Sequence, residues 1–397
     1  MRSQSTREQP AFTPRALQRC FPEDSSGAPP RPLGALLDRA SERHDHEDYA
    51  AALACAEEAT RVEPRSIEGH EDRALALVEL QRKDEARAAI GRALAIDPDD
   101  PHTLVAAADL LLNRLSGKDL TGSDDAAAAL EHATRGLERL RRARGKTDKP
   151  LRSRLELLAG QALSDLGRSK EALPHLDAAL TLAPDDLTAR YERGVALFDL
   201  CRFAEAERAL REVVKRDSGD AFAHQELGLV LEQLGDPRGA ERELAEARRL
   251  NPTEIRAPQT LDRQAFETLV TKEIAALPHG LRDDLAKVEL ELPDLPALSD
   301  LTADDPPLPP TILGLFRGAP LAEALGAPPK RHGHDRDHGD QPLFPDEPRA
   351  ICLYRLNLLR AVQGPEELRE QIRTTLHHEL GHLRGEDDEA LRARGLE

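Results

Sequence analysis

Residues 187–220 read LTARYERGVALFDLCRFAEAERALREVVKRDSGD, and residues 221–254 read AFAHQELGLVLEQLGDPRGAERELAEARRLNPTE. The two 34-residue segments align without a gap. Gly194 matches Gly228, Ala206 matches Ala240, and Val213 matches Ala247. The larger Leu197 and Leu210 match Leu231 and Leu244. Within each half the apolar residues recur three and four apart, the period of an amphipathic helix, so each segment reads as helix–turn–helix. A single helix pair buries little. Small residues let its two helices approach closely, and the neighbouring pairs complete the core.

Working outward, two more units fit the same frame. Residues 67–100 place Ala74, Leu77, Ala86, Ile90 and Ala93 in register, and residues 153–186 place Gly160, Leu163, Ala172, Leu176 and Ala179. Pro98, Pro184 and Pro252 fix the turn at the end of their units. A weaker unit at 33–66 keeps Tyr49, Ala52, Ala59 and Pro64. Another starts at Pro101, but SGKDLTGSDD displaces its second helix, which is expected to run long, to about Arg144. The pattern resembles the tetratricopeptide repeat family. That resemblance implies an α-solenoid over 34–254 whose concave surface holds a protein or peptide. First helices would present Glu68, Glu71 and Leu75 there, then Thr188, Tyr191, Val195 and Phe198, then Phe222, Gln225 and Leu229. A groove of that mixture suits a partner with basic and apolar residues.

Composition agrees with a mainly α chain. Of 397 residues only 3% are aromatic, which argues against a sandwich or barrel. A net charge of −18 repels phosphate backbones and anionic lipid, so neither nucleic acid nor membrane is an expected partner. Cys20, Cys55, Cys201 and Cys352 show no metal spacing, and reduced thiols in a cytoplasmic protein are expected. Residues 1–33 carry Pro, Ser and Arg without periodicity and read as a disordered lead-in. Oligomeric state is not legible.

The repeat stops after Pro252. An amphipathic helix comes next, from Asp262 to about Leu277, with Phe266, Leu269, Val270 and Ile274 on one face. KVELELPDLP alternates like a half-buried strand, TILGLFRG reads as a short strand ending at a glycine turn, and AICLYRLNLL reads as a strong strand. Twelve of the 29 prolines lie between Pro293 and Pro348, so regular helix is excluded there. Residues 327–349, rich in His and Asp, read as a mobile loop. Residues 255–397 therefore read as a small α+β domain.

Near the C-terminus stands TTLHHELGHLRGEDDEAL, on a helix opened by Gly364-Pro365-Glu366-Glu367 and stopped by Gly385. Leu368, Ile372, Leu376, Leu380 and Leu383 line one side; His378 and His382 lie one turn apart on the other. This is H-E-x-x-H. One helical turn brings two imidazoles to a single Zn²⁺, with Glu379 between them as general base. Asp388 stands ten residues after His378, where a third ligand is wanted. Glu386, Asp387 and Glu389 remain alternatives. Of the other polar residues nearby, His377 reads as a packing histidine, and His332, His334 and His338 as part of a solvated loop. Tyr354 reads as a core tyrosine rather than an oxyanion donor.

The segment from Asp262 to the end resembles the small bacterial zincin-like metallopeptidase family, through its FETLV helix, PPTILGLFRG, ICLYRLNLL and the H-E-x-x-H-x-x-G-x-x-D helix. The resemblance implies a short sheet beside that helix, zinc held by His378, His382 and Asp388, and Glu379 as the base. The chain departs from metzincins, which use a third His and a Met-turn; here the only Met is Met1. The expected function is zinc-dependent peptide hydrolysis, with the repeats docking the substrate or a partner. The alternative is an interaction scaffold whose zinc domain is structural or inactive.

Overall fold

Aspartate and serine open many of the helices. Asp48, Ser66, Asp100 and Asp148 each accept a hydrogen bond from the backbone N–H three residues on, and Asp220, Asp236 and Asp262 do the same farther along. Each satisfies an amide that the helix cannot. The computed structural model describes residues 32–115, 122–142, 148–321 and 348–395. Most of the N-terminal lead-in and of the loop at 327–349 lies outside them, as do His332, His334 and His338. The chain divides into two compact units, Met1–Glu192 and Arg193–Glu397.

The first unit is a stack of helix pairs: α1 Leu33–Asp45 with α2 Tyr49–Val62, α3 Ile67–Glu79 with α4 Lys83–Ile96, α5 Pro101–Asp109 with α6 Gly122–Arg142, and α7 Lys149–Asp165 with α8 Ser169–Leu182. Helices α1, α3, α5 and α7 pack one against the next, each covered by its second helix. The irregular repeat is irregular in structure too: α5 runs into a π-helical turn at Leu110–Leu115, and α6 extends over 21 residues. The recurring small residue has a measurable reason. A Cβ on Gly160 would lie 2.6 Å from Cγ of Leu176, which is fully buried.

Helix α9, Leu187–Asp199, brings Glu192 to α7, where Gln161 Nε2 donates to its Oε1 at 2.9 Å. Burial pushes the Glu192 carboxyl up to about 7, the Gln161 hydrogen bond opposes that, and Asp165 adds to it. The native state therefore holds a proton that the unfolded chain releases between about pH 4.5 and 7. Stability falls as pH rises through that window. Glu192→Gln is expected to raise the unfolding free energy at pH 8 by on the order of 1–3 kcal/mol, and to change it little at pH 4. Denaturation curves at the two pH values check this.

The second unit continues with α10 Phe203–Arg216, α11 Ala221–Gln233 and α12 Pro237–Leu250, then changes character. It adds α13 Arg263–Ala276, α14 His279–Leu285, β1 Glu289–Glu291, α15 Leu298–Leu301, β2 Gly314–Arg317, β3 Ala350–Leu353, α16 Arg355–Ala361, α17 Pro365–Leu383 and α18 Asp388–Ala393. The three strands order β1-β3-β2, with β1 parallel and β2 antiparallel to β3. Leu368, Ile372, Leu376, Leu380 and Leu383 of α17 form one core with Phe266, Val270, Phe316, Ile351 and Leu353. The repeat helices and the α+β part of this unit are in contact: Arg360 pairs with Glu232, and Cys201 Sγ lies 3.7 Å from Leu308 O.

Three expectations change. Inside the proline-rich stretch, where the sequence argues against helix, Leu298–Leu301 forms the single turn α15 in the proline-free run between Pro296 and Pro306. AICLYRLNLL is a strand only through Leu353; from Arg355 it is helix α16. A short apolar run does not distinguish the two forms by period alone. Tertiary contacts decide it here, with Asn357 Nδ2 donating to Pro310 O and Ile312 O at 2.9 and 2.8 Å. Among the cysteines, Cys201 and Cys352 are free and buried, whereas Cys55 is disulfide-bonded. No helix among the described residues is long and apolar enough to cross a membrane.

Candidate functional site

The site is built on the last two turns of α17 and the start of α18. Pro365 sits in the first turn of α17, where its missing N–H costs nothing, with Glu366 and Glu367 beside it at the positive end of the helix dipole. Gly385, at φ +83°, takes the left-handed conformation that ends the helix and turns the chain back. That turn lets Asp387 cap α18 through Ala390 N–H at 2.8 Å and delivers Asp388 next to the histidines.

His378 Nε2 and His382 Nε2 stand 3.0 Å apart. Asp388 Oδ1 lies 3.9 Å from the first and 3.3 Å from the second. A tetrahedral ion with bonds near 2.1 Å needs ligand atoms about 3.4 Å apart, and these three distances bracket that value. His382 Nδ1 lies 3.1 Å from Glu386 O, a hydrogen bond that turns the Nε2 lone pair of the neutral ring toward His378. Two imidazole nitrogens facing each other beside a carboxylate form a donor set that fits a divalent zinc ion. Of the alternatives to Asp388, Glu386 pairs with Arg394 and Asp387 caps α18, and among the described residues the atoms that group with the two histidines are those of Asp388.

Burial works to lower the His382 pKa, but the Asp388 hydrogen bond and the Glu379 and Asp388 charges outweigh it, so the pKa is raised. Asp388 is held below its usual range, first by its hydrogen bond to His382. Glu379 lies between the histidines in sequence but deeper in the fold, 5% exposed. Burial pushes its carboxyl up to about 7, against the pull of His382 and of the Phe316 N–H that donates to it.

Phe316 and Gly314 were not singled out in the sequence. Leu313 O accepts from Tyr354 N at 2.9 Å, so residues 313, 315 and 317 bond toward β3, and the backbone groups of Gly314 and Phe316 face the opposite edge. Among the described residues β2 pairs only with β3. A Cβ on Gly314 would lie 2.6 Å from Thr375 Cγ2 and 2.9 Å from Glu379 Oε1. Strand and helix meet this closely only because the residue is glycine. A glycine inside the TILGLFRG pattern was the available signal.

Tyr354 is fully buried, its hydroxyl 3.5 Å from Asp300 Oδ2 on the sheet face away from α17. On the same face Arg317 pairs with Glu291 and donates to Cys352 Sγ at 3.0 Å, which anchors β2. His377 is half-buried on α17, and burial and nearby arginines lower its pKa.

Known proteins resemble the chain in two separate parts. The zincin-like metallopeptidase family model matches residues 285–396, and the tetratricopeptide repeat model matches residues 37–101 and 157–221. The chain is 32% identical over 111 residues to the TPR repeat-containing thioredoxin TTL4 of Arabidopsis thaliana. That match covers 28% of this chain and only 15% of the relative. Among solved structures, the type IV pilus biogenesis factor PilW aligns at 18% identity and a TM-score of 0.48, over 60% of this chain and 98% of its own. YrrB, a TPR protein with an unusual peptide-binding site, aligns at 20% identity and a TM-score of 0.36, over 50% of this chain and 93% of its own. TM-scores this low say nothing about activity. From the family models and the helix stack, the chain carries tetratricopeptide repeats followed by a zincin-like metallopeptidase domain.

Proposed function

We propose that the protein is a zinc-dependent peptidase whose repeats hold its polypeptide substrate or a partner. The observation that carries this reading is the grouping of His378, His382 and Asp388 beside a buried Glu379, in the domain matched by the metallopeptidase family. His378, His382 and Asp388 would hold the ion. Bound there, zinc would supply Lewis acidity toward a carbonyl and lower the pKa of water toward about 7.

The chain's own residues do the rest. An extended peptide adds to the open edge of β2, through the outward backbone groups of Gly314 and the Phe316 carbonyl. That places a scissile bond alongside Glu379. The Glu379 carboxylate takes the proton of the attacking water and then gives it to the leaving amine. Phe316 N–H keeps the carboxylate oriented.

The test is cleavage of a disordered protein substrate by the zinc-loaded chain. Fragments are expected, lost on chelation and restored by zinc. A zinc-replete chain that never cleaves would overturn the reading. In the same assay Gly314→Ala is expected to lower kcat/KM by at least tenfold with zinc content unchanged, because the new methyl displaces the Glu379 carboxylate. Metal analysis alongside the kinetics checks both halves of that statement.

A further inference from the structure

We propose that Gln161, Asp165 and Glu192 form a pocket for a lysine or arginine side chain of a polypeptide laid along the first helices of the repeats. The inference rests on the proposal that these repeats hold a polypeptide.

Gln161 is 7% exposed, and its Nε2 donates to Glu192 at 2.9 Å. Its Oε1, on the same amide carbon, has no hydrogen-bond partner among the described residues. A buried amide oxygen beside a half-buried carboxylate is costly to leave unsatisfied, of a kind that native folds rarely tolerate without an occupant. Asp165, one turn after Gln161 on α7, is exposed at the rim and close enough to raise the Glu192 pKa. The cluster thus presents one amide oxygen and two carboxylates. An ammonium or guanidinium, which only donates, is its complement.

Among the described residues no cation shifts the Glu192 or Asp165 carboxyl. Arg154 pairs with Asp109, Arg152 lies 3.5 Å from Glu156, and Arg190 donates to Pro184 O at 2.6 Å. Nor is the cluster isolated. Asp72 on α3 holds the same repeat position as Glu192, and burial, followed by Glu71 and Glu68, pushes it up to about 6. Oε1 of the adjacent Glu71 is also buried without a partner among the described residues. Two acceptor sites in one layer of helices fit a chain with spaced basic residues better than a small cation.

The experiment uses the full chain in a Glu379→Gln background, so that the probes stay intact. The probes are an array of 12-residue peptides with two lysines at varied spacing in an Ala/Leu background, and the same peptides with glutamine for lysine. Binding is read by fluorescence anisotropy. At least one lysine peptide is expected to bind saturably, at least tenfold more tightly than its glutamine counterpart. Glu192→Gln is expected to remove that advantage, while Glu246→Gln, which neutralises an exposed charge on α12, changes it less than twofold. Equal binding of lysine and glutamine peptides would overturn the pocket and leave a peptide groove standing. Equal losses in Glu192→Gln and Glu246→Gln would reduce the effect to diffuse attraction and overturn it as well. No binding by any peptide would overturn both the pocket and the docking role of the repeats.

Discussion

Glu379→Gln is expected to lower peptide hydrolysis by about 10³-fold while zinc content stays near that of the parent chain. General acid–base catalysis typically contributes 10²–10⁴-fold, and here one side chain is asked to act in both directions. The substitution is nearly isosteric. Glu379 is 5% exposed, and burial pushes its carboxyl up to about 7. A neutral amide should therefore fold into the same space and still accept from Phe316 N–H. What it lacks is the ability to take a proton. Single-turnover cleavage, metal analysis and circular dichroism on one preparation separate these effects. Full activity in the variant would remove Glu379 from the chemistry. An inactive parent with normal zinc would move the protein to the scaffold reading, in which the repeats carry the function.

How much of the molecule was legible in its sequence depends on how far apart the deciding residues lie. The solenoid was legible because each contact that sets the period, such as Gly160 on Leu176, falls within one repeat. The H-E-x-x-H helix was legible for the same reason: His378 and His382 are one turn apart, and the Gly385 turn returns Asp388 after only a few residues. The strand-to-helix switch after Leu353 was not legible. It depends on Asn357 reaching Pro310 and Ile312, 47 and 45 residues away. The same applies to the wall of the site. Gly314 and Phe316 meet Glu379 across more than 60 residues of chain, and only the fold joins them. Gln161 is not among the positions that the repeat pattern presents on the first helices, and its unsatisfied oxygen is visible only in three dimensions.

His382→Ala is expected to strip the chain of zinc, and a comparison of three acidic neighbours should then identify the third ligand. Removing a ligand atom costs more than the 10–100-fold in affinity typical of losing an outer hydrogen-bond partner. After exchange against a weak chelator, the parent should retain about one zinc per chain and His382→Ala almost none. Asp388 Oδ1 stands 3.3 Å from His382 Nε2, so Asp388→Ala should also lose the metal. Asp387→Ala should keep it, because Asp387 is occupied by Ala390 N–H; its cost is a helix cap, about 1 kcal/mol of stability. Glu386→Ala should keep it too, since the atom that orients His382 is the backbone carbonyl, which the substitution leaves in place. Thermal unfolding supplies an independent readout. Zinc at 100 times its Kd should stabilise the folded parent by about 2.7 kcal/mol, and that increment should vanish in His382→Ala and Asp388→Ala but survive in the other two. Retention of zinc in Asp388→Ala together with its loss in Glu386→Ala would reassign the ligand. The reassignment would also require the Glu386 carboxylate to leave Arg394 when metal binds.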